Sequence, residues 1–273
     1  MALLDVRGVS RRFGGIAALS GVDLSVQQGE LVSVIGPNGA GKTTLFDIVS
    51  GHESADAGSV RFSGSEILGL APERIARHGV GRTFQNGRVF ANLSVLDNVR
   101  VGAHTRIRAA RPGVPILGPL LELLFAVAPP RAARRENAAL TREAEELLGL
   151  FGDRLLPRKS APALSLSYAN RRRLEIARAL ALRPRLLLLD EPTAGMNPTE
   201  TAEMLGVIRS LRGSGLSILL IEHKLSLVME LSDRVYVLDD GRVISVGTPA
   251  QVRSDPAVLT AYLGHHSVGG ANG

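Results

Sequence analysis

The sequence contains no cysteine and no tryptophan. Without cysteine there can be no disulfide scaffold, thiol nucleophile or cysteine-ligated metal, and the chain suits a reducing compartment. Aromatic residues make up only 4%, so an aliphatic core is expected. Lysine is nearly missing: of 32 basic residues only Lys42, Lys159 and Lys224 are lysines. Long apolar runs are missing too. The longest, Val114 to Ala128, is broken by Pro115, Gly118, Pro119 and Glu122, and it falls short of the roughly 20 residues of a membrane span. The N-terminus, MALLDVRGVSRRF, turns charged at its fifth residue, so no signal peptide is expected.

What remains is a chain of 273 residues, enough for one large domain or two small ones. Its 45% apolar content excludes a generic disordered segment. The net charge of +6 admits nucleic acid or anionic lipid as a partner. A solvated, arginine-rich surface is the preferred account, because net charge alone says little about function.

Short apolar runs alternate with helical patterns. Leu31 to Ile35 reads as a strand, and Leu186 to Leu189 is an unbroken apolar run that ends in acid. Such runs belong to strands buried on both faces of a parallel sheet. Ser217 to Ile221 and Arg234 to Leu238 read alike, and Thr199 to Leu211 places Met204, Val207, Ile208 and Leu211 on one helical face. This alternation predicts an α/β fold with a parallel sheet. Residues 95 to 155 lack clear strands, and Asn137 to Leu150 has helical periodicity, as expected of an inserted helical subdomain. The tail after Leu263 is expected to fray.

Gly36-Pro37-Asn38-Gly39-Ala40-Gly41-Lys42-Thr43 matches G-x-x-x-x-G-K-[ST], between a strand ending at Ile35 and a helix-forming stretch from Thr44 to Val49. That context makes it a phosphate loop. Glycines let backbone N–H groups wrap a phosphate, and the helix N-terminus adds positive charge. Lys42 would reach the β- and γ-phosphates and the Thr43 hydroxyl would hold Mg²⁺. Asp190 and Glu191 end the apolar run at Leu189. At the carboxyl end of a parallel strand, Asp190 would hold Mg²⁺ and Glu191 would polarise the attacking water. A solvated acidic turn is the alternative for that pair taken alone.

Here the chain resembles the ATP-binding subunits of ABC transporters, over about residues 3 to 263. The helix Arg173-Leu174-Glu175-Ile176-Ala177-Arg178-Ala179-Leu180 is similar to the one that follows the family's LSGGQ signature. Of two Leu-Ser pairs, the distance to Ile176-Ala177-Arg178 selects the second, giving Leu166-Ser167-Tyr168-Ala169-Asn170. The resemblance implies that this segment binds the γ-phosphate of ATP held by a partner subunit. Tyr168, Ala169 and Asn170 depart from the usual Gly-Gly-Gln. If position 169 needs a positive φ, alanine costs around 1 kcal/mol there.

The resemblance carries over further residues. Phe13, in Arg11-Arg12-Phe13-Gly14-Gly15, matches the aromatic that stacks on adenine. Gln85, in Arg82-Thr83-Phe84-Gln85-Asn86, matches the glutamine that senses Mg²⁺ and water. His223 matches the switch histidine that contacts the γ-phosphate. Thr44 falls within the ATP-binding set of the phosphate loop. Asn197 stands where the family's dimer-contact loop usually has aspartate. ATP and Mg²⁺ are thereby implied, with hydrolysis in a composite site to which a partner subunit contributes its serine. The implied fold is a P-loop ATPase core with a mostly parallel sheet, an antiparallel β portion near the N-terminus and a helical subdomain at about 87–168. Residues 1–263 would form one nucleotide-binding domain and 264–273 a flexible tail.

Within the family the chain resembles the larger ATPase subunit of branched-chain amino acid importers. The features are Gly81 to Asn86, Leu166-Ser167-Tyr168 with Arg171 to Glu175, Gly195-Met196-Asn197-Pro198 with Glu200-Thr201, and Ala261-Tyr262-Leu263-Gly264. The segment from His104 to Arg135 fits that subtype's insertion, with a candidate helix at Pro119 to Ala128. Implied partners are two transmembrane permease subunits, a second ATP-binding subunit (a heterodimer is favoured and a homodimer stays open) and, indirectly, a substrate-binding protein. No nucleic acid is expected, and the implied location is peripheral, on the cytoplasmic face of the membrane. A lipopolysaccharide-type exporter ATPase and a soluble ABC ATPase are the rival readings.

Overall fold

The computed structural model describes residues 2–84, 89–106 and 131–264. They form two compact units, Met1–Gln85 with Pro184–Gly273, and Asn86–Arg183. Gln85, the segment around Pro119 to Ala128 and the tail beyond Gly264 lie outside the described residues.

The first unit holds two sheets. One is antiparallel, in the order β2-β1-β4-β5, from β1 (Leu4–Phe13), β2 (Ile16–Val26), β4 (Ala57–Phe62) and β5 (Ser65–Glu66). The other runs β10-β9-β3-β8-β7-β6, from β3 (Leu31–Ile35), β6 (Val80–Arg82), β7 (Leu186–Asp190), β8 (Ser217–Ile221), β9 (Arg234–Asp239) and β10 (Arg242–Gly247). Its strands are parallel except β10, which pairs antiparallel with β9. Every residue of β3, β7 and β8 is buried, which is why these strands are apolar at successive positions rather than alternate ones.

Helices flank the parallel sheet: α1 (Lys42–Val49), α2 (Pro72–His78) and others that follow the second unit in the chain. Helix α1 sends Leu45, Phe46, Ile48 and Val49 into a core shared with Val32, Val34, Leu188, Leu219 and Ile221. At an order of 2 kcal/mol for each fully buried large aliphatic side chain, this core anchors the loop that precedes α1. A smaller cluster joins Ile35, Val235 and Val237 to Val252 and Val258.

The second unit contains α3 (Val95–Gly102), α4 (Arg131–Gly149) and α5 (Tyr168–Leu180), with short 3₁₀ turns between them. The expected helix at Asn137 is longer than its apolar periodicity, reaching back to Arg131. Asn98 is fully buried and staples the loop before α3, accepting from Phe90 N–H at 2.8 Å and donating to the carbonyls of Phe90 and Ser94 at 3.0 and 2.9 Å. The Glu143 carboxylate takes two hydrogen bonds from Arg106 (2.6 and 2.9 Å) and two from Arg183 (2.8 and 3.1 Å). Burial pushes the Glu143 carboxyl up, but these arginines outweigh it and hold it below its ordinary value.

The chain returns to the first unit at β7 and continues through α6 (Pro198–Gly213), α7 (Leu225–Leu231), α8 (Pro249–Ser254) and α9 (Pro256–Gly264). Helix α6 opens with a capping box: Asn197 accepts from Glu200 N–H at 2.9 Å, and Glu200 accepts from Asn197 N–H at 3.1 Å. Among the described residues no helix is long and apolar enough to cross a membrane.

Candidate nucleotide site

Strand pairing brings several of the sequence-predicted residues of the first unit together. Strand β8 lies between β3 and β7, with Ile221 opposite both Val34 and Asp190. The phosphate loop, the Asp190-Glu191 pair and His223 therefore leave the sheet side by side at its carboxyl edge, where open α/β sheets bind ligands.

Residues 36–43 turn from β3 into α1. Asn38 and Gly39 form an exposed crest, while Gly36 and Ala40 are buried and Pro37 is half-buried. Gly39 has a φ of 84°, and a Cβ there would meet nothing within 4 Å. Gly36 also has positive φ, 149°, but a Cβ on it would collide with the Leu238 carbonyl. Gly41 caps α1 from the left-handed region, and there a Cβ would strike the Ala18 carbonyl. The three glycines thus do different work: two admit neighbouring backbone, and Gly39 leaves open space above the loop.

Lys42 is buried, and its ammonium donates to the carbonyls of Gly36 at 2.8 Å and Pro37 at 2.7 Å. Burial lowers its pKa, and the charges of Glu191 and Asp190 act against that lowering. The cation and both acids therefore share one local field. Thr43 is exposed in the first turn of α1, and Thr44 half-buried.

Asp190 is buried, and its backbone N–H donates to Thr83 Oγ1 at 3.3 Å. Arg82, its side chain 6% exposed, lies beside it, 3.8 Å from the Asp190 carboxylate. Arg82 also reaches Asp47 at 2.7 Å and Ser50 Oγ at 2.6 Å on and after α1, under the Phe84 ring at 4.9 Å. It links the phosphate-loop helix to the acid that ends β7. Glu191 follows with a φ of 47°, unusual for a residue with a Cβ. Its N–H donates to the Ile221 carbonyl at 2.9 Å, and its carboxylate lies 2.7 Å from His223 Nε2.

Glu222 is buried and directed inward. Its Oε1 accepts from the Thr193 N–H at 3.1 Å and the Thr193 hydroxyl at 2.7 Å, and its Oε2 accepts from the His223 N–H at 3.2 Å. Sequence reasoning passed over Arg82 and Glu222 as functional candidates. For Glu222 the signal is present: like Glu191, it is an acid directly after a buried apolar strand.

Phe13 ends β1 with 45% of its surface exposed, paired across the hairpin with Ile16, itself 74% exposed. The Arg11 guanidinium lies 4.9 Å from its ring centre. An exposed ring at a hairpin tip leaves aromatic surface open for stacking. Ala18, two residues beyond Ile16, is the residue whose carbonyl Gly41 admits, so this hairpin runs alongside the phosphate loop. A recess of about 690 Å³ in the same unit, lined by Asp5, Arg7, Asp23, Tyr236 and Arg242 among others, includes no phosphate-loop residue.

In the second unit, Leu166 is buried and Ser167 is the exposed N-cap of α5, its Oγ accepting from Asn170 N–H at 3.3 Å. Tyr168 is exposed. Ala169 is helical and absent from the positive-φ positions, so the expected strain of alanine there does not arise. Its methyl group is buried. Asn170 is also buried, and its Oδ1 accepts from Arg173 at 2.8 Å. Of the five signature residues, the serine hydroxyl and the tyrosine ring are the side chains displayed at the surface.

The ABC transporter family model matches residues 19–194, and that of the branched-chain amino acid ATP-binding cassette transporter matches residues 242–268. The high-affinity branched-chain amino acid transport ATP-binding protein BraF of Pseudomonas aeruginosa is 41% identical, over 96% of this chain and 98% of its own. LivG of Escherichia coli K12, of the same description, is also 41% identical over the same shares. A crystal structure of the ADP conformation of an ATP-binding cassette of an ABC transporter is 30% identical, with a TM-score of 0.78 over 97% of this chain and 99% of that one. The chain belongs to the ATP-binding proteins of the ABC transporter family, in the group formed by branched-chain amino acid transport ATPases.

Proposed function

We propose that this chain hydrolyses ATP to energise uptake of branched-chain amino acids. The observation that carries the reading is the meeting of Lys42, Asp190, Glu191 and His223 at one sheet edge, in a chain 41% identical to BraF and LivG.

Each residue has a part in the chemistry. Phe13 stacks on the adenine. The backbone N–H groups of residues 36–44 wrap the phosphates, with Gly39 at the closest approach. Lys42 gives up the Gly36 and Pro37 carbonyls, 2.8 and 2.7 Å away, and takes phosphate oxygens instead. Burial disfavours its charged form, and the phosphate oxygens restore that charge by pairing with it in a setting shielded from water. Glu191 accepts the proton of the attacking water as the water oxygen bonds to the γ-phosphorus. The bond to the bridging oxygen then breaks and ADP leaves with its electrons. His223, within hydrogen-bond distance of Glu191, orients that carboxylate and faces the γ-phosphate.

The donors present fit Mg²⁺: the Thr43 hydroxyl and the Asp190 carboxylate are hard oxygen ligands, and Gln85 would add a third. When bound, the ion supplies charge neutralisation on the phosphate oxygens. Most of the rate enhancement then comes from positioning and electrostatics.

The signature, Leu166 to Asn170, serves ATP held by another subunit. Ser167 is already engaged as an acceptor and keeps its hydroxyl proton for a phosphate oxygen. Tyr168 is exposed beside it, and Asn170 supports the helix from within. We infer a second, different ATP-binding subunit as that partner. Two permease subunits and a substrate-binding protein complete the importer, with this chain peripheral on the cytoplasmic face of the membrane. Residues 1–263 act as one nucleotide-binding domain, with the helical insertion at about 87–168.

Affinity purification of the tagged chain from detergent-extracted membranes tests the assembly. Two polytopic subunits and a second ATPase, with ATP hydrolysis stimulated by a branched-chain amino acid and its binding protein, are expected. Recovery with export-type membrane proteins alone would overturn the uptake reading and leave the ATPase chemistry standing.

A further inference from the structure

We propose that Glu222 is a positioning residue for hydrolysis: its carboxylate brackets the turn after β7 to the end of β8 and so sets the approach of Glu191 to His223. The inference rests on the roles given above to those two residues.

Glu222 is 4% exposed and Thr193 1% exposed. Burying a carboxylate is costly unless it is hydrogen-bonded, and this one takes three bonds, two from Thr193 and one from the His223 N–H. The partners belong to different segments. Thr193 lies two residues after Glu191, and His223 is the next residue after Glu222. One carboxylate thus spans both chain ends that deliver the reacting side chains. A second tie, Glu191 N–H to the Ile221 carbonyl at 2.9 Å, lies beside it. Between these ties the Glu191 carboxylate and His223 Nε2 stand 2.7 Å apart.

The bracket also explains how Glu191 keeps a φ of 47°. A side-chain-bearing residue persists there only when its surroundings over-determine it. Glutamine at 222 has the same shape but cannot accept from both backbone N–H groups. If its oxygen faces Thr193, its amide N–H groups face the His223 N–H, donor against donor; the flipped amide can donate to the Thr193 hydroxyl but sets its N–H against the Thr193 N–H. Replacing Thr193 by valine removes only the hydroxyl bond, at nearly constant volume.

The test uses the full chain with its co-purifying subunits, and compares Glu222→Gln, Thr193→Val and Glu191→Gln with the unaltered protein. Equilibrium ATP binding, kcat, KM and melting temperature are measured for each. For Glu222→Gln, kcat should fall at least thirtyfold on the order expected for a displaced catalytic group, with ATP affinity within about threefold. For Thr193→Val, kcat should fall about three- to tenfold with KM nearly unchanged, and this variant decides the matter if Glu222→Gln does not fold. Unchanged kcat with a lowered melting temperature in both would show a merely structural role and overturn the proposal. So would a raised KM with kcat retained. If Glu191→Gln loses turnover while the other two keep it, the bracket alone is refuted. If Glu191→Gln stays active, the assignment of the base itself fails.

Discussion

Replacing Gly39 by alanine separates the glycine that faces a nucleotide from those that face the fold. At Gly39 the added methyl meets no atom within 4 Å. Its cost to the fold is the left-handed backbone alone, about 1–2 kcal/mol, offset by roughly 0.4–1 kcal/mol from a less flexible unfolded chain. A net loss of about 1 kcal/mol follows. Gly36→Ala adds to backbone strain a collision with the Leu238 carbonyl. Strain of about 1–3 kcal/mol and overpacking of about 1–3 kcal/mol together predict a loss of roughly 2–6 kcal/mol before the same unfolded-chain offset. Ligand binding reverses the ranking. ATP at a hundred times its Kd stabilises the unaltered protein by about 2.7 kcal/mol. Gly39→Ala should lose most of that gain, because its methyl occupies the open space that the phosphate is proposed to approach. Urea unfolding with and without ATP reads both quantities. If Gly39→Ala keeps the full ATP-dependent gain, or if Gly36→Ala is no less stable than Gly39→Ala, the division of labour in the loop is wrong.

Three further outcomes are expected. Lys42→Ala should abolish ATP-dependent stabilisation, since no other buried cation among the described residues belongs to the loop; a shift equal to the unaltered protein would contradict this. Ala169→Gly should change ATP turnover less than tenfold and cost about 1 kcal/mol of stability, because residue 169 is helical and buried; a hundredfold rise in turnover would show that the methyl obstructs the site. Glu143→Gln should cost about 1–3 kcal/mol at neutral pH, the order of charged hydrogen bonds, reduced by the exposure of Arg183. A carboxyl whose folded pKa is lowered stabilises fully above its unfolded value, 4.5, and that stability is lost as pH falls through the folded value. The gap between unaltered and Glu143→Gln unfolding curves should therefore close on acidification below about pH 5; a gap that widens in acid would contradict the assignment.

Much of the first unit was legible because its strands are unambiguous. Leu186 to Asp190 and Ser217 to Ile221 are buried on both faces, so their apolar runs carried their structure openly. The phosphate loop was legible because its chemistry fixes both residue types and spacing. The antiparallel sheet was less so. Pairing of β1 with β2 shifts register between Val6 and Val9, between Val9 and Arg11, and again before Arg12, which breaks the two-residue alternation a strand would show. Arg82 was hidden for another reason. Its partners Asp47 and Asp190 are 35 and 108 residues away, and only the strand order β3-β8-β7-β6 brings them together. That order is a property of packing, which local pattern does not encode. At residue 169 the family's glycine leaves open whether a positive φ is needed, and the helix N-terminus at Ser167 places the residue in ordinary helical backbone.

The most direct test of the account is Glu191→Gln, with ATP binding and ATP hydrolysis measured on the same preparation. The amide keeps the shape of the side chain but cannot accept the proton of the attacking water. ATP affinity should stay within about threefold, while turnover falls by the 10²–10⁴-fold typical of a lost general base. Hydrolysis at the unaltered rate, with ATP bound normally, would remove Glu191 from the chemistry and with it the central reading of the site.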